Sequence, residues 1–211
     1  MTKAIVSFAT GTHREYLNLA RPGFQAYARR HGYDYYEVKD DFSNVRHIVW
    51  FKIPAMLTAL EIYTDVLWID ADVVIMDGSE DIADQIPPEA WQALVEHKLP
   101  WPAYDEVPNS GVWYVRQPMI PVLERCWTMT EYTGHEWPEQ SALMDLMGYE
   151  CWNRPTTLIE PTELYNHTHF LSLEWNSVPW QAAEVPRFNH AAGDAKGRKD
   201  IITEWAQQVT A

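Results

Sequence analysis

Only 2 of the 211 residues are cysteine, and Cys126 and Cys151 stand far apart, in neither a C-x-x-C nor a metal-ligand spacing. That scarcity excludes a disulfide framework and a cysteine-held metal, and both thiols are expected to sit reduced in the core. No apolar run is long enough to cross a bilayer, and the stretch Ala4 to Ala9 is too short for a signal-peptide core. The expectation is a soluble, cytoplasmic protein. No repeat, low-complexity segment or linker interrupts the chain, so residues 1–211 read as one domain that can bury a substantial core. Positive charge is short as well, with 16 Lys and Arg against 30 Asp and Glu and a net charge of -14. The deficit belongs to residues 53–150, which carry 3 basic and 18 acidic side chains. An acidic middle disfavours a broad nucleic-acid-binding face and suits a bound cation. Aromatic residues, by contrast, are plentiful. The 11 Trp and 11 Tyr are mostly expected in the core or at its rim, and some can stack on a sugar ring.

Apolar patterning reads as α/β. Ala4 to Ala9 is a buried-type strand closed by Thr10-Gly11, and Leu17, Ala20, Phe24, Tyr27 and Ala28 then recur at helical spacing up to His31-Gly32. Tyr35 to Val38 is a second strand, giving a β-α-β start with parallel pairing. Trp50 to Tyr63 is an amphipathic helix with Pro54 in its first turn, leading into the strand Val66-Leu67-Trp68-Ile69. The second half is less regular. It reads as a short helix over Ser79 to Ile86, a strand over Trp91 to Val95 and a proline-rich loop over Leu99 to Pro108. Asn109-Ser110-Gly111 then opens a strand over Val112 to Val115. Helices follow from about Pro118 to Glu131 and from Glu139 to Met147, and a terminal helix covers Asp200 to Gln208.

Asp70-Ala71-Asp72 ends the most apolar strand. Side chains two apart on a strand share a face, so both carboxylates are expected to leave the sheet together. A Mg²⁺ or Mn²⁺ ion relieves their repulsion, and the carboxyl end of a central strand is where open α/β sheets bind ligands. An ion held by two protein groups keeps positions open for a diphosphate.

The order of these segments, with Lys52, Asp70-Ala71-Asp72, Asn109-Ser110-Gly111, Pro138-Glu139-Gln140 and His190-Ala191-Ala192-Gly193, resembles the GT-A glycosyltransferases. Among them it is most similar to the retaining, metal-dependent groups that include galactosyl and xylosyl transferases and glycogenin-like enzymes. The resemblance implies a GT-A, Rossmann-like fold with a mixed, mostly parallel central sheet flanked by helices. Residues 1–72 would be the nucleotide-binding half and 73–211 the sugar and acceptor half. It implies a divalent cation, Mn²⁺ or Mg²⁺, on Asp70, Asp72 and His190, with a nucleotide-sugar donor, a UDP-sugar first. His190, Gly193 and Lys196 match a late H-x-x-G-x-x-K segment, although Gly197-Arg198-Lys199 replaces the Pro-Trp that often follows it. Thr10 and Gly11 fall where such enzymes hold the nucleobase and ribose, and Lys52 resembles a basic residue that contacts the donor. Ala71 lies between the metal ligands. Asn109, Ser110 and Gly111 resemble a turn lining the donor-sugar pocket, and Glu139-Gln140 an acidic-Gln pair beside the anomeric carbon.

Three other readings share parts of the pattern: a haloacid-dehalogenase-type phosphatase, a sugar nucleotidyltransferase and a non-catalytic sugar-binding module. The first expects its Asp pair near the N-terminus followed by Thr, the second a Gly-rich, Arg-containing loop after strand one. The acceptor is open in the sequence: a glycan, a lipid-linked sugar, a protein or a hydroxylated DNA base.

Overall fold

The structure is a computed structural model, and it describes residues 2–39, 46–99, 106–153, 155–193 and 197–210. In chain order its regular elements begin with β1 (Lys3–Ser7), α1 (His13–His31), β2 (Tyr33–Glu37), α2 (Lys52–Leu60), β3 (Asp65–Ile69) and β4 (Val73–Ile75). Then come β5 (Gln92–Lys98), β6 (Glu106–Arg116), α3 (Ile120–Thr128), α4 (Pro138–Met147), β7 (Tyr149–Glu150) and β8 (Thr157–Leu158). The chain closes with α5 (Glu163–Asn166), β9 (Thr168–Leu171), β10 (Phe188–His190) and α6 (Arg198–Thr210). The central sheet has 6 strands in the order β2-β1-β3-β6-β5-β9. β1 pairs parallel with β2 and β3, and β5 with β9, while β6 runs antiparallel to both its neighbours.

β3 is apolar from Val66 to Ile69 and buried along that run because both its faces are covered. Along β3, Val66 and Trp68 enter one core with α2, α3 and α4, while Leu67 and Ile69 enter the other with α1. Trp113 and Tyr114 of β6 part in the same way. α6 packs on α1 and β4, extending that second layer. Gly32 ends α1 with a left-handed φ of 70° and donates its N–H to Ala28 O, the helix stop that His31-Gly32 announces. Cys126 and Cys151 are buried and free, as expected.

Several boundaries differ for physical reasons. β2 begins two residues earlier than expected, at Tyr33, whose side chain is buried. The helix expected from Trp50 is a 3-10 turn over Ile48–Phe51 that becomes α2 at Lys52. The short helix expected from Ser79 is only a 3-10 turn over Ile82–Gln85. It is capped by Asp81, whose carboxylate accepts from the Ala83 N–H, and Ser79 bonds Asp77 instead. Of the expected loop at 99–108, residues 100–105 lie outside the described residues and Glu106 already begins β6. Asn109-Ser110-Gly111 is therefore within a strand rather than opening one. α3 stops at Thr128, and a separate 3-10 turn covers Thr130–Gly134.

Candidate active site

The carboxyl ends of β1 and β3 open onto a cleft of about 310 Å³. Asp70-Ala71-Asp72 lies on its wall, but not as the end of an extended strand. The Val73 N–H bonds back to Asp70 O at 3.1 Å, so the pair sits on a tight turn between β3 and β4. The turn, rather than the two-residue repeat of a strand, brings the carboxylates together. Asp70 is anchored by its backbone N–H to Gly111 O and by the Trp68 indole N–H, which donates to its Oδ1.

His190 arrives from the other end of the chain. β10 pairs antiparallel with β4, placing His190 opposite Val73, and the Ala191 N–H bonds Asp72 O at 3.0 Å. One ligand atom each from Asp70, Asp72 and His190 lies within 4.8 Å of the other two. Two carboxylate oxygens and an imidazole nitrogen are the donor set that Mn²⁺ accepts, so these residues fit a divalent cation. His190 Nε2 is 3.4 Å from Asp72 Oδ1, and Arg198 Nη1 is 3.3 Å from Asp72 Oδ2. Burial would raise the Asp72 carboxyl, but His190, Arg198 and His13 outweigh it and hold it below the ordinary carboxylate range.

The opposite wall comes from β6 and α4. Register along β5 and β6 jumps from Leu94 opposite Trp113 to Val95 opposite Asn109, a bulge that takes Ser110, Gly111 and Val112 out of that ladder. Ser110 then meets the first turn of α4: its N–H donates to Gln140 Oε1 at 3.2 Å and its hydroxyl to Glu139 Oε1 at 3.1 Å. Lys52, only 5 % exposed, lies among them, with Nζ 3.2 Å from Asp70 Oδ1 and 3.1 Å from both Glu139 Oε1 and Ser110 Oγ. Burial would lower the Lys52 ammonium, but Asp70 and Glu139 outweigh it and raise it.

Gly111 has a definite steric reason: a Cβ there would stand 2.2 Å from His190 Cε1. The glycine makes room for the histidine. Gly193 has a left-handed φ of 71°, and a Cβ would meet Trp180 at 3.2 Å.

Thr10, Lys52, Asp70, Ala71, Asp72, Asn109, Ser110, Gly111, Glu139, Gln140, His190 and Gly193 all line this one cleft. Gly11 turns the chain into α1 with φ 53° and is not on the lining. Lys196 lies outside the described residues. The sequence reading missed Trp68, which holds Asp70, and His13 and Arg198, which face Asp72. It also missed Asn176, buried without exposed area between His190 and Asn109. Arg198 carried one signal, its place in the tripeptide where the late motif departs from Pro-Trp. Asn176 carried none, since its partners lie 14 and 67 residues away.

Comparison with known proteins bears on the fold that carries this cleft. The chain superposes on a glycosyltransferase involved in glycosylation of the PBCV-1 major capsid with a TM-score of 0.72 and 16% identity. That match covers 96% of this chain and 99% of the other. It superposes on galactosyltransferase LgtC, solved with donor and acceptor sugar analogues, with a TM-score of 0.58 and 13% identity over 99% of this chain and 96% of that one. Against mouse xyloside xylosyltransferase 1 the TM-score is 0.57 at 10% identity, covering 93% and 99%. No curated protein matches the sequence. The fold is therefore GT-A, and fold and sequence together place the chain among the nucleotide-sugar-dependent glycosyltransferases. Residues 12–110, just under half the chain, match the galactosyl transferase GMA12/MNN10 family.

Proposed function

We propose that the chain transfers a sugar, with retention of configuration, from a UDP-sugar to a hydroxyl of a glycan acceptor, using Mn²⁺ held by Asp70, Asp72 and His190. The observation that carries this reading is the convergence of those three ligand atoms within 4.8 Å of one another on the wall of the cleft. When bound, a divalent cation supplies Lewis-acid neutralisation of the diphosphate leaving group. The remaining chemistry belongs to side chains. Lys52 and the Ser110 hydroxyl clamp Glu139 Oε1, fixing its carboxylate beside the donor-sugar position. Gln140 accepts from the Ser110 N–H through Oε1, so its Nε2 is the donor it can offer a sugar hydroxyl. In this reading Glu139 and Gln140 steady the oxocarbenium-like centre, and a donor phosphate oxygen takes the acceptor proton. Thr10 holds the nucleoside, with Gly11 shaping the turn behind it, Gly193 and Lys196 hold the diphosphate, and residues 73–211 the sugar and acceptor.

The phosphatase and nucleotidyltransferase readings lose their support once fold and family match agree on sugar transfer. A non-catalytic module is the reading that experiment must exclude. Nucleotide-sugars screened by thermal shift with and without Mn²⁺ should show a UDP-sugar that raises the melting temperature only with the metal, and Asp72→Ala should abolish the shift. The same Mn²⁺-loaded protein should hydrolyse or transfer that sugar. Stabilisation without turnover would leave a binding module, and an inverted product would remove the retaining mechanism.

A further inference from the structure

His190 can ligate a cation through Nε2 only if that nitrogen presents a lone pair, which requires the ring proton to be on Nδ1. The proton position can be traced from a group that has no choice. The Gly111 backbone N–H is always a donor, and it bonds Asn109 Oδ1 at 2.9 Å. That atom must therefore be the amide oxygen. The Asn176 group 3.0 Å from it must then be the donor, Nδ2. Hence the other end of the Asn176 amide is Oδ1, an acceptor, and it lies 2.9 Å from His190 Nδ1. Two acceptors cannot face each other there, so Nδ1 carries a proton.

The Asn176 amide cannot rotate out of this arrangement cheaply. Its residue is buried without exposed area, and flipping it would set oxygen against oxygen at Asn109 and NH₂ against N–H at the histidine. Its backbone is held as well: Asn176 O accepts from His97 Nε2 at 2.7 Å. Gly111 contributes twice, by its N–H and by leaving the space that the ring fills.

We infer that Asn176 is a positioning residue that locks His190 with its proton on Nδ1, so that Nε2 is held ready for a divalent cation beside Asp70 and Asp72. The inference rests on the metal-binding reading of this cleft. It extends the site to a segment with no motif of its own and makes Asn109 a link in the same relay.

Two measurements without donor or turnover test it. In ¹⁵N–¹H spectra of the metal-free protein, His190 Nδ1 should carry an exchange-protected proton; a bare Nδ1 overturns the relay. In Mn²⁺ titrations followed by electron paramagnetic resonance, Asn176→Leu, which fills the space but accepts no hydrogen bond, should weaken binding by about 10- to 100-fold. Asn176→Asp still accepts the Nδ1 proton but loses the donor to Asn109, so it should melt lower yet bind Mn²⁺ within about 3-fold of the wild type. Equal loss in both variants, or none in Asn176→Leu, overturns the inference. Should Asn176→Leu not fold, the aspartate variant and the ring proton decide. A wild type that binds no Mn²⁺ fails the metal reading instead, while the ring proton still tests the relay.

Discussion

Lys52 shows what a single residue costs and supplies. A buried ammonium is tolerated only when its charge is matched and its protons are bonded, and here Asp70, Glu139 and Ser110 do both. The same contacts tie a candidate metal ligand to the acid at the start of α4, so Lys52 fixes the width of the cleft. The resemblance implies a donor contact for Lys52, and in the structure its Nζ is held by protein groups on the cleft wall. Lys52→Met should destabilise the protein by about 3 to 5 kcal/mol, because Glu139 would be left buried without its counter-charge. Pairing it with Glu139→Gln should recover part of that loss, since both charges then leave together. Urea midpoints of the two single variants and the double variant measure the coupling. Strictly additive losses would show that the pair does not act as one unit.

At the scale of elements, the site depends on a bulge and a docked turn. The bulge in β6 is what turns Ser110 toward Glu139 and Gln140, and nothing in Asn109-Ser110-Gly111 distinguishes a bulged strand from a strand start. The motif was legible and its backbone setting was not, because the setting depends on β5 across the sheet. The turn over Leu173–Asn176 docks on β5 through the His97 ring, whose Nδ1 meets no partner among the described residues. Burial pushes His97 down to about 4, against the pull of the Asn176 carbonyl. Unfolded, the ring titrates at its ordinary value of 6.5, so between these two values the unfolded chain binds more protons and stability rises with pH. The contribution is complete above that upper value and lost as pH falls toward 4, and it amounts to about 3 kcal/mol. His97→Gln keeps an N–H for the Asn176 carbonyl but does not titrate. Its stability curve should therefore be flatter than the wild type's across that window, as read from urea midpoints at several pH values. Parallel curves would mean that other groups set the acid limb.

For the whole molecule, the sheet was readable because burial on both faces writes itself as unbroken apolar runs such as Val66 to Ile69, and order along the chain then fixed the β-α-β start. The closure of the site was readable only in part. His190 matched a motif, but its approach to Asp72 depends on β10 pairing with β4, a contact between short strands that periodicity does not reveal. No described helix is long and apolar enough to cross a membrane. A cation shared by Asp70, Asp72 and His190 would add a tie between the central sheet and a late segment that β10–β4 pairing, the buried Phe188 and the Arg187 ion pairs already hold. Binding should then stabilise this junction locally and not only the molecule as a whole. At Mn²⁺ about 100 times its dissociation constant, opening of the junction should become up to about 100-fold rarer, equivalent to about 2.7 kcal/mol. Hydrogen exchange should show this in the amides of Val73, His190 and Ala191, which bond Asp70 O, Ser177 O and Asp72 O. Amides of α5, which lies outside the cleft lining, should change little. Asp72→Asn should remove the protection. Slowing spread evenly over the sheet and α5 would mean that the ion reports on global stability alone, and that β10 is fixed without it.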